Sequence, residues 1–136
     1  MSLQDVKLIN LPKVLDERGN LSFFQNNDQI PFELKRVYWI YDVPGGEHRG
    51  GHAYKDLQEV IIALSGSFDV VLHDGKEEKV YSLNRSYYGL YVPQKIWRSM
   101  ENFSTNSLAF IATDAYYDTQ QYIRDFEEFK LLTNEG

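Results

Sequence analysis

Short β-rich runs separated by turn signals divide most of the chain, and this pattern constrains the fold more than any other sequence feature. The runs recur at intervals of roughly 8 to 12 residues, with no helical pattern between them. A His-Asp-Gly sequence at 73–75 is typical of a hairpin turn. Such spacing predicts an antiparallel sandwich or barrel. The clearest runs span residues 37–41, 59–64, 67–72, 79–83, 88–92 and 108–112.

The C-terminal segment at 119–132 has a different periodicity. Asp118 or Thr119 can cap a helix there through a side-chain oxygen. The segment therefore predicts one short helix that packs over the β-structure. Its apolar residues recur with helical spacing, at Tyr122, Ile123, Phe126, Phe129 and Leu132.

The length of 136 residues suits one domain. No repeat, linker or low-complexity segment divides the chain, so residues 4–134 are predicted to form a single domain. Residues 1–3 and 135–136 resemble vector-derived flanks, and they are left out of the fold prediction.

Charge and cysteine content exclude several classes of protein. The net charge of −6 argues against binding nucleic acid through a general positive field. The chain has no cysteine, which excludes disulfides and thiolate metal sites and is compatible with a reducing cytoplasm. It has neither an apolar run of about 18 residues nor a signal-peptide pattern, so we expect a cytoplasmic protein that does not enter a membrane.

One stretch follows the first motif of the cupin superfamily, whose members fold as jelly-roll barrels. That motif places a Gly, a His-x-His pair, a Glu and a second Gly at fixed spacing. Gly46, His52, Glu59 and Gly66 match it, while Tyr54 takes the place of the second His. Together with the strand pattern, the motif predicts an all-β antiparallel cupin barrel or jelly roll with a short C-terminal helix.

The second cupin motif is altered at a position where a metal ligand is usual. Pro93 and Asn102 match the motif, whereas Arg98 replaces the ligand His. Metal-binding cupins direct three His and one carboxylate at a divalent ion, with imidazole as the neutral nitrogen donor. A guanidinium is always cationic and has no lone pair for a metal. We therefore predict no catalytic metal and no other cofactor.

The stretch Arg-Gly-Gly-His-Ala-Tyr-Lys at 49–55 resembles the Arg-Gly-x-His-Ala-His-Lys stretch of the dTDP-sugar 3,4-ketoisomerases, often labelled WxcM-like. Further segments resemble blocks of the same family, in the same order along nearly the whole chain. By this resemblance the chain is identified as a member of that family. The further segments lie at 16–21, 30–38, 89–93, 97–100, 116–118 and 122–124.

The resemblance implies an activity, a ligand and an assembly. The family isomerises a 4-keto-6-deoxyhexose carried on dTDP to the 3-keto sugar, and it needs no metal. Its members are homodimers in which N-terminal strands are exchanged between subunits. We therefore expect a dTDP-linked keto sugar as the ligand and a second copy of the chain as the partner.

Three residues are the catalytic candidates. His52 matches the family's first catalytic His, and an imidazole pKa of ~6.5 suits a base that removes the proton from carbon 3. Tyr54 stands where the family has its second catalytic His, and a phenol with a pKa near ~10 is a poor base that can still relay a proton. Either His52 acts with Tyr54 as the relay, or the reaction is slower, or this member catalyses another reaction. Arg98 is expected to polarise the sugar carbonyl or stabilise the enediolate.

Cations that match family segments are expected to hold the diphosphate, because Arg forks bind phosphate oxygens through paired hydrogen bonds. Tyr91 and Trp97 are candidates for stacking on the sugar or the base, with core packing as the equal alternative. The cations are Arg18, Arg36, Arg49 and Lys55.

Two other functions stay open at this stage. Sugar-nucleotide 3,5-epimerases carry a similar Arg-Gly-x-His segment, but this chain is shorter and has the ketoisomerase-like C-terminal segment. A non-catalytic sugar-nucleotide-binding cupin is the other alternative, favoured by Tyr54 in place of a His.

Overall fold

The computed structural model describes residues 2–135, the last two by their backbone alone, so residues 1 and 136 of the predicted flanks lie outside the described residues. Short 3-10 turns span Leu3–Asp5 and Thr119–Gln121, and the helix α1 spans Phe126–Glu135. The strands are β1 Lys7–Asn10, β2 Lys13–Val14, β3 Leu21–Ser22, β4 Arg36–Tyr41, β5 Arg49–Tyr54, β6 Glu59–Ser65, β7 Phe68–His73, β8 Glu78–Leu83, β9 Tyr88–Val92, β10 Trp97–Glu101, β11 Leu108–Thr113 and β12 Tyr122–Ile123.

Two five-stranded antiparallel sheets face each other. One has the strand order β1-β9-β6-β11-β4 and the other the order β12-β5-β10-β7-β8. From β4 to β11 the chain passes between the sheets at almost every connection, as in a jelly roll. The all-β antiparallel jelly-roll prediction is therefore confirmed, in a form whose two sheets keep separate edges within the described chain.

The inner faces of the two sheets form the main core. Phe68, Val70 and Leu72 alternate inward along β7 and are at most 1% exposed. They pack in one cluster with Ile61 and Ile111 of the facing sheet. A fully buried side chain of this size contributes roughly 1.5–3 kcal/mol. This core holds β5, β6 and β10, the strands that carry the cupin motifs, in a fixed arrangement.

All six strands predicted from the sequence are present, with ends within one residue of the prediction. Six strands were missed by the pattern, and two of them, β5 and β10, carry the cupin-motif residues His52 and Arg98. β5 begins with Arg49 and two glycines, which have low β-propensity. β10 directs Arg98 into the interior, and a buried charge interrupts the apolar alternation that marks a strand.

The helix predicted over 119–132 is wrong for its first seven residues. Asp118 does act as a cap, but only of the 3-10 turn, where its side chain accepts from the backbone N–H of Gln120. The chain then forms β12, whose Tyr122 pairs with Tyr54 of β5, so backbone pairing overrides the helical spacing. The helix begins after Asp125, whose Oδ1 accepts from the backbone N–H of Glu127.

The helix α1 packs over the β-structure as predicted. Its Phe129 is fully buried against Ala53 and Ile123, with Trp97 alongside. Neither α1 nor any other helix in the described part of the chain is long and apolar enough to cross a membrane.

Candidate functional site

A cavity of about 570 Å³ lies where β4 of one sheet approaches β5, β10 and β12 of the other. We call it the arginine cavity, because Arg36, Arg49, Arg98 and Arg124 all line it. The four cations create a local positive field although the whole chain has a net charge of −6. The cavity therefore suits an anionic ligand.

Two tyrosine rings surround the imidazole of the predicted base. His52 and Tyr54 are two residues apart on β5, so their side chains share the face that lines the arginine cavity. Tyr122 joins them from β12, and the ring centroids of the three residues lie 4.7–4.9 Å apart. The pairing of β12 with β5 fixes this cluster at the cavity wall.

The imidazole of His52 is held in its neutral form. Burial, followed by the charges of Arg98 and Arg124, lowers the pKa of His52 to about 3. Its Nε2 atom is buried and has no hydrogen-bond partner among the described residues. A neutral imidazole with a free ring nitrogen can accept a proton from a ligand in the cavity.

Arg98 is the centre of a buried network. It forms a two-pronged pair with Glu59, from Nε to Oε1 at 2.5 Å and from Nη2 to Oε2 at 3.1 Å. Both side chains are 1% exposed. The same Nη2 donates to Tyr38 Oη at 2.7 Å and to Tyr54 Oη at 3.3 Å. The two phenol oxygens lie 3.2 Å apart, and Tyr38 also donates to Glu59.

This network keeps both phenols protonated and the guanidinium charged. Burial, with the Glu59 carboxylate next, raises the pKa of Tyr38 to about 12 and that of Tyr54 far above its ordinary value. Burial opposes the charge of Arg98, but Glu59 and the two phenols outweigh it and keep the pKa of Arg98 well above its usual range. Tyr54 is therefore a hydrogen-bond donor at neutral pH, not a base.

Four buried polar side-chain atoms in the described residues have no hydrogen-bond partner, and all belong to residues that line the arginine cavity. They are Nε and Nη2 of Arg36, Nε2 of His52 and Nη1 of Arg98. An unsatisfied buried polar group costs about 1–3 kcal/mol, and more when it is charged. A ligand with several acceptor oxygens would satisfy the three guanidinium donors, which indicates a binding site and not only a packing defect.

Trp97 and Lys55 lie away from this cavity, although the sequence placed both among the binding residues. Trp97 precedes Arg98 on β10 and Lys55 directly follows Tyr54 at the end of β5, and adjacent side chains of an extended chain point to opposite faces. Trp97 packs against Phe126 and Phe129 of α1, with ring centroids 5.2 and 5.8 Å apart. Lys55 lines a second cavity on the other side of β5.

Arg18 and Tyr91 also lie outside the arginine cavity of the chain. The Arg18 side chain, at the turn between β2 and β3, is 90% exposed and forms an ion pair with Asp16 at 2.9 Å. Tyr91 is on β9 of the opposite sheet, where it donates a hydrogen bond to Gln58 and packs near Phe32. Of the nine predicted site residues, the chain brings five together: Arg36, Arg49, His52, Tyr54 and Arg98.

Several lining residues were not assigned a role from the sequence. Tyr122 and Arg124 enter through β12 and the residue after it, with the guanidinium 4.5 Å from the ring centroid. Tyr117 lines the same wall and lies 5.4 Å from the Arg36 guanidinium. These residues belong to the Tyr-Tyr-Asp and Tyr-Ile-Arg segments at 116–118 and 122–124, which resemble the family. The helix predicted over 119–132 gave Tyr122 and Arg124 a packing role and not a place on a strand at the cavity.

The carboxylate that a metal cupin would use is engaged by a cation. Both oxygens of Glu59 accept from Arg98, which occupies the position of a ligand His. Among residues 2–135, no group of three His, Cys, Asp or Glu side chains is arranged to hold a metal ion.

Known proteins with similar sequences are sugar-nucleotide isomerases. The family described as FdtA: WxcM-like, C-terminal matches residues 4–134. The chain is 41% identical over 124 residues to TDP-4-oxo-6-deoxy-alpha-D-glucose-3,4-oxoisomerase of Aneurinibacillus thermoaerophilus, covering 91% of this chain and 89% of that protein.

Solved structures that are similar to this chain include sugar 3,4-ketoisomerases. A 3,4-ketoisomerase from Helicobacter canadensis is 40% identical, with a TM-score of 0.93 and coverage of 96% of this chain and 98% of that one. QdtA, a sugar 3,4-ketoisomerase from Thermoanaerobacterium thermosaccharolyticum in complex with TDP, is 34% identical, with a TM-score of 0.96 and coverage of 98% of both chains. A histidine-to-asparagine variant of that enzyme, in complex with TDP-4-keto-6-deoxyglucose, also gives a TM-score of 0.96. The extent of these matches shows that the chain belongs to the FdtA, WxcM-like family.

Proposed function

We propose that this protein is a sugar-nucleotide 3,4-ketoisomerase, which moves the keto group of a dTDP-4-keto-6-deoxyhexose from carbon 4 to carbon 3. The observation that carries the proposal is the arginine cavity, whose unpartnered buried atoms combine one neutral imidazole nitrogen with guanidinium donors. The names of the matching relatives describe the same reaction.

In this proposal His52 is the base. Its neutral imidazole removes the proton from carbon 3, and the electron pair moves to the carbonyl oxygen on carbon 4 to give an enediolate. A pKa of about 3 makes the free imidazole a weak base. The negative charges of the diphosphate and the enediolate offset the nearby guanidiniums, so the imidazolium becomes more favourable when substrate is bound. The histidine-to-asparagine variant of QdtA, which was captured with its keto sugar, supports a histidine in this role.

Tyr54 and Arg98 complete the proton transfers. The proton on oxygen 3 must move to oxygen 4 or to solvent, and carbon 4 must receive a proton from the His52 imidazolium or from solvent, which returns His52 to its neutral form. Tyr54, protonated and within the Arg98–Tyr38–Glu59 network, relays a proton between the two oxygens. The free Nη1 of Arg98 stabilises the negative oxygen of the enediolate, an electrostatic role that contributes strongly in such reactions.

The diphosphate is held by Arg36 and Arg49 in the proposal. The Arg36 guanidinium is stacked between the rings of Tyr38 and Tyr117, at 5.1 and 5.4 Å, which fixes its plane while leaving Nε and Nη2 unpartnered. A fixed guanidinium loses little entropy when it binds phosphate oxygens.

We also propose that the active form is a homodimer with exchanged N-terminal strands. Trp39 and Tyr41 face outward from β4, an edge strand, and are 56% and 63% exposed. Trp39 also lines the arginine cavity, so a partner that covers this edge lies at the cavity mouth. Exchange of the N-terminal region would carry Arg18 toward the partner. Light scattering should then give a molar mass of twice 15.9 kDa, and a monomer would contradict the assembly.

One NMR experiment tests the function. The protein is incubated in D₂O with dTDP-4-keto-6-deoxyglucose, and a 3-keto product with deuterium at carbon 4 supports the ketoisomerase. Exchange at carbons 3 and 5 without a 3-keto product indicates a 3,5-epimerase, and binding without exchange indicates a non-catalytic cupin. Because the proposal uses no metal, EDTA should leave the rate unchanged, and inactivation by EDTA would contradict that part.

A further inference from the structure

A β-bulge interrupts β5 beside the arginine cavity. Along β10, Arg98 pairs with His52 and Met100 pairs with Arg49. Two steps on β10 therefore correspond to three steps on β5, so β5 contains one extra residue between Arg49 and His52. Gly50 and Gly51 fill this interval.

The bulge decides which side chains reach the cavity. Arg49 and His52 are three positions apart, and in a regular strand their side chains would point to opposite faces. Both line the arginine cavity instead, because the extra residue shifts the alternation by one. The bulge therefore joins the proposed base and one proposed phosphate ligand on one wall.

Gly50 has a backbone conformation that L residues rarely adopt, and its surroundings leave no room for a Cβ atom. Its φ of +74° lies in the left-handed region. A Cβ atom at this position would overlap Nη1 of Arg98 and lie 3.4 Å from Arg98 Cζ. Nη1 is the one nitrogen of this guanidinium without a partner in the described residues.

Arg98 has little freedom to move away from such a Cβ. Its Nε and Nη2 are both bonded to Glu59, and Nη2 also donates to Tyr38 and Tyr54. A side chain at position 50 must therefore either break this buried network or displace the bulge that carries Arg49.

We propose that Gly50 is a positioning residue, which leaves space for Nη1 of Arg98 beside His52 so that both face the same atoms of the bound sugar. This inference rests on the proposed ketoisomerase function. Gly50 contributes no chemical group to the reaction, and it acts through Arg98. Its loss should therefore reduce kcat more than it raises KM, since an enediolate needs Nη1 more than the ground-state sugar does.

The test compares Gly50→Ala with Gly46→Ala. Gly46 also has a left-handed φ, of +84°, but a Cβ there would meet no atom within 4 Å, so this variant controls for backbone strain alone. A misplacement of about 1 Å at a reacting centre can cost about 100-fold in rate. We expect Gly50→Ala to lower kcat about 100-fold with KM within about threefold, and Gly46→Ala to change both by less than about threefold. Equal losses in the two variants, or a normal kcat in Gly50→Ala, would overturn the proposal.

A second arm uses the Arg98→Lys background and remains informative if Gly50→Ala alone folds poorly. Lysine has no Nη1 atom, so a methyl group at position 50 meets less resistance. The double variant should match Arg98→Lys in kcat, and its thermal midpoint should be lower only by the amount that backbone strain costs in Gly46→Ala. Additive losses would show that Gly50 does not act through Arg98. Absence of turnover by the wild-type protein would instead overturn the isomerase function itself, whereas an active wild type with an insensitive Gly50 would overturn only the positioning role.

Discussion

Two cavities of similar size differ in what lines them, and the difference indicates where chemistry takes place. The arginine cavity has a volume of about 570 Å³, and a second cavity of about 520 Å³ lies between α1, β12 and the turn after β7. The second is lined by apolar Ile123, Phe129 and Leu132, with lysines around them. Volume alone does not distinguish the two.

The two cavities differ in whether their lining residues have buried side-chain atoms without hydrogen-bond partners. The four buried, unpartnered side-chain atoms found in the described chain all belong to residues of the arginine cavity. The titratable residues with large pKa shifts line it as well; they are Tyr38, His52, Tyr54 and Arg98. Unsatisfied buried groups are costly for folding, so their concentration in one place is typical of a functional site. The second cavity resembles the gap left where a helix packs over a sheet.

His52→Asn should produce the largest effect, because it removes the proposed base from the arginine cavity. Removing a general base costs about 10²- to 10⁴-fold in rate, so we expect this loss in the D₂O assay. Affinity for dTDP should stay within a few-fold, because the diphosphate contacts are kept. His48→Asn is the matched control, since His48 is 66% exposed and pairs with Glu101 away from the cavity. Turnover retained by His52→Asn would remove this residue from the base role.

Glu59→Gln should produce the next largest effect, on stability. Losing the carboxylate leaves the Arg98 charge buried and unpaired, which costs about 3–5 kcal/mol in the free energy of unfolding. Glu101→Gln removes a carboxylate from an exposed pair and should cost less than about 1 kcal/mol. Urea denaturation compares the two variants, and similar midpoints would refute a structural role for the buried pair.

Tyr54→Phe tests the relay with the ring kept in place. A hydrogen bond to a charged group contributes about 1.5–3 kcal/mol, which corresponds to roughly 10- to 100-fold in rate. We expect kcat to fall by that factor, while Tyr81→Phe on β8 leaves it unchanged. An unaffected kcat in Tyr54→Phe would assign the proton transfer between the oxygens to solvent.

The pKa of His52 predicts a smaller effect, on the pH dependence of stability. Between pH of about 3 and about 6.5, the unfolded chain binds a proton at His52 that the folded chain does not. The free energy of unfolding should therefore decrease as pH falls through this window, by at most about 1.4 kcal/mol per pH unit from this residue. His52→Asn lacks this contribution, and equal pH slopes in wild type and variant would contradict a buried neutral imidazole.

The smallest expected effects are changes in KM when one cation is removed from the lining of either cavity. Arg49→Ala should raise KM about tenfold, because one charge-assisted hydrogen bond to phosphate is lost. Lys55→Ala should change KM less than twofold, because this side chain lines the second cavity. Reversed effects would mean that the ligand extends into the second cavity.

The strand framework was predictable because it depends on local pattern. Six strands follow from apolar runs bounded by turn residues, and β7 alternates inward as its sequence predicts. His52, Tyr54 and Arg98 could be placed together because the spacing of the cupin motifs puts them on β5 and β10, which are neighbouring strands of one sheet.

The rest depends on long-range pairing, which a single sequence does not display. Tyr122 and Arg124 reach the cavity only because β12 pairs with β5, far away along the chain. Trp97 and Lys55 were assigned to the wall of the site by position in a motif, yet strand alternation turns them toward other surroundings. Arg18 lies on an exposed hairpin, where only a second subunit could bring it to a site.

The guanidinium of Arg98, paired with Glu59, gives the cavity a permanent positive charge. In metal-binding jelly-roll enzymes the positive centre is a metal ion taken up from solution. Its occupancy depends on the concentration of that ion and on competition from other ions. Here the cation is covalently tethered to β10 and anchored by Glu59, so it has no dissociation constant. The desolvation of this charge takes place once, during folding, and every folded molecule carries the cation in place.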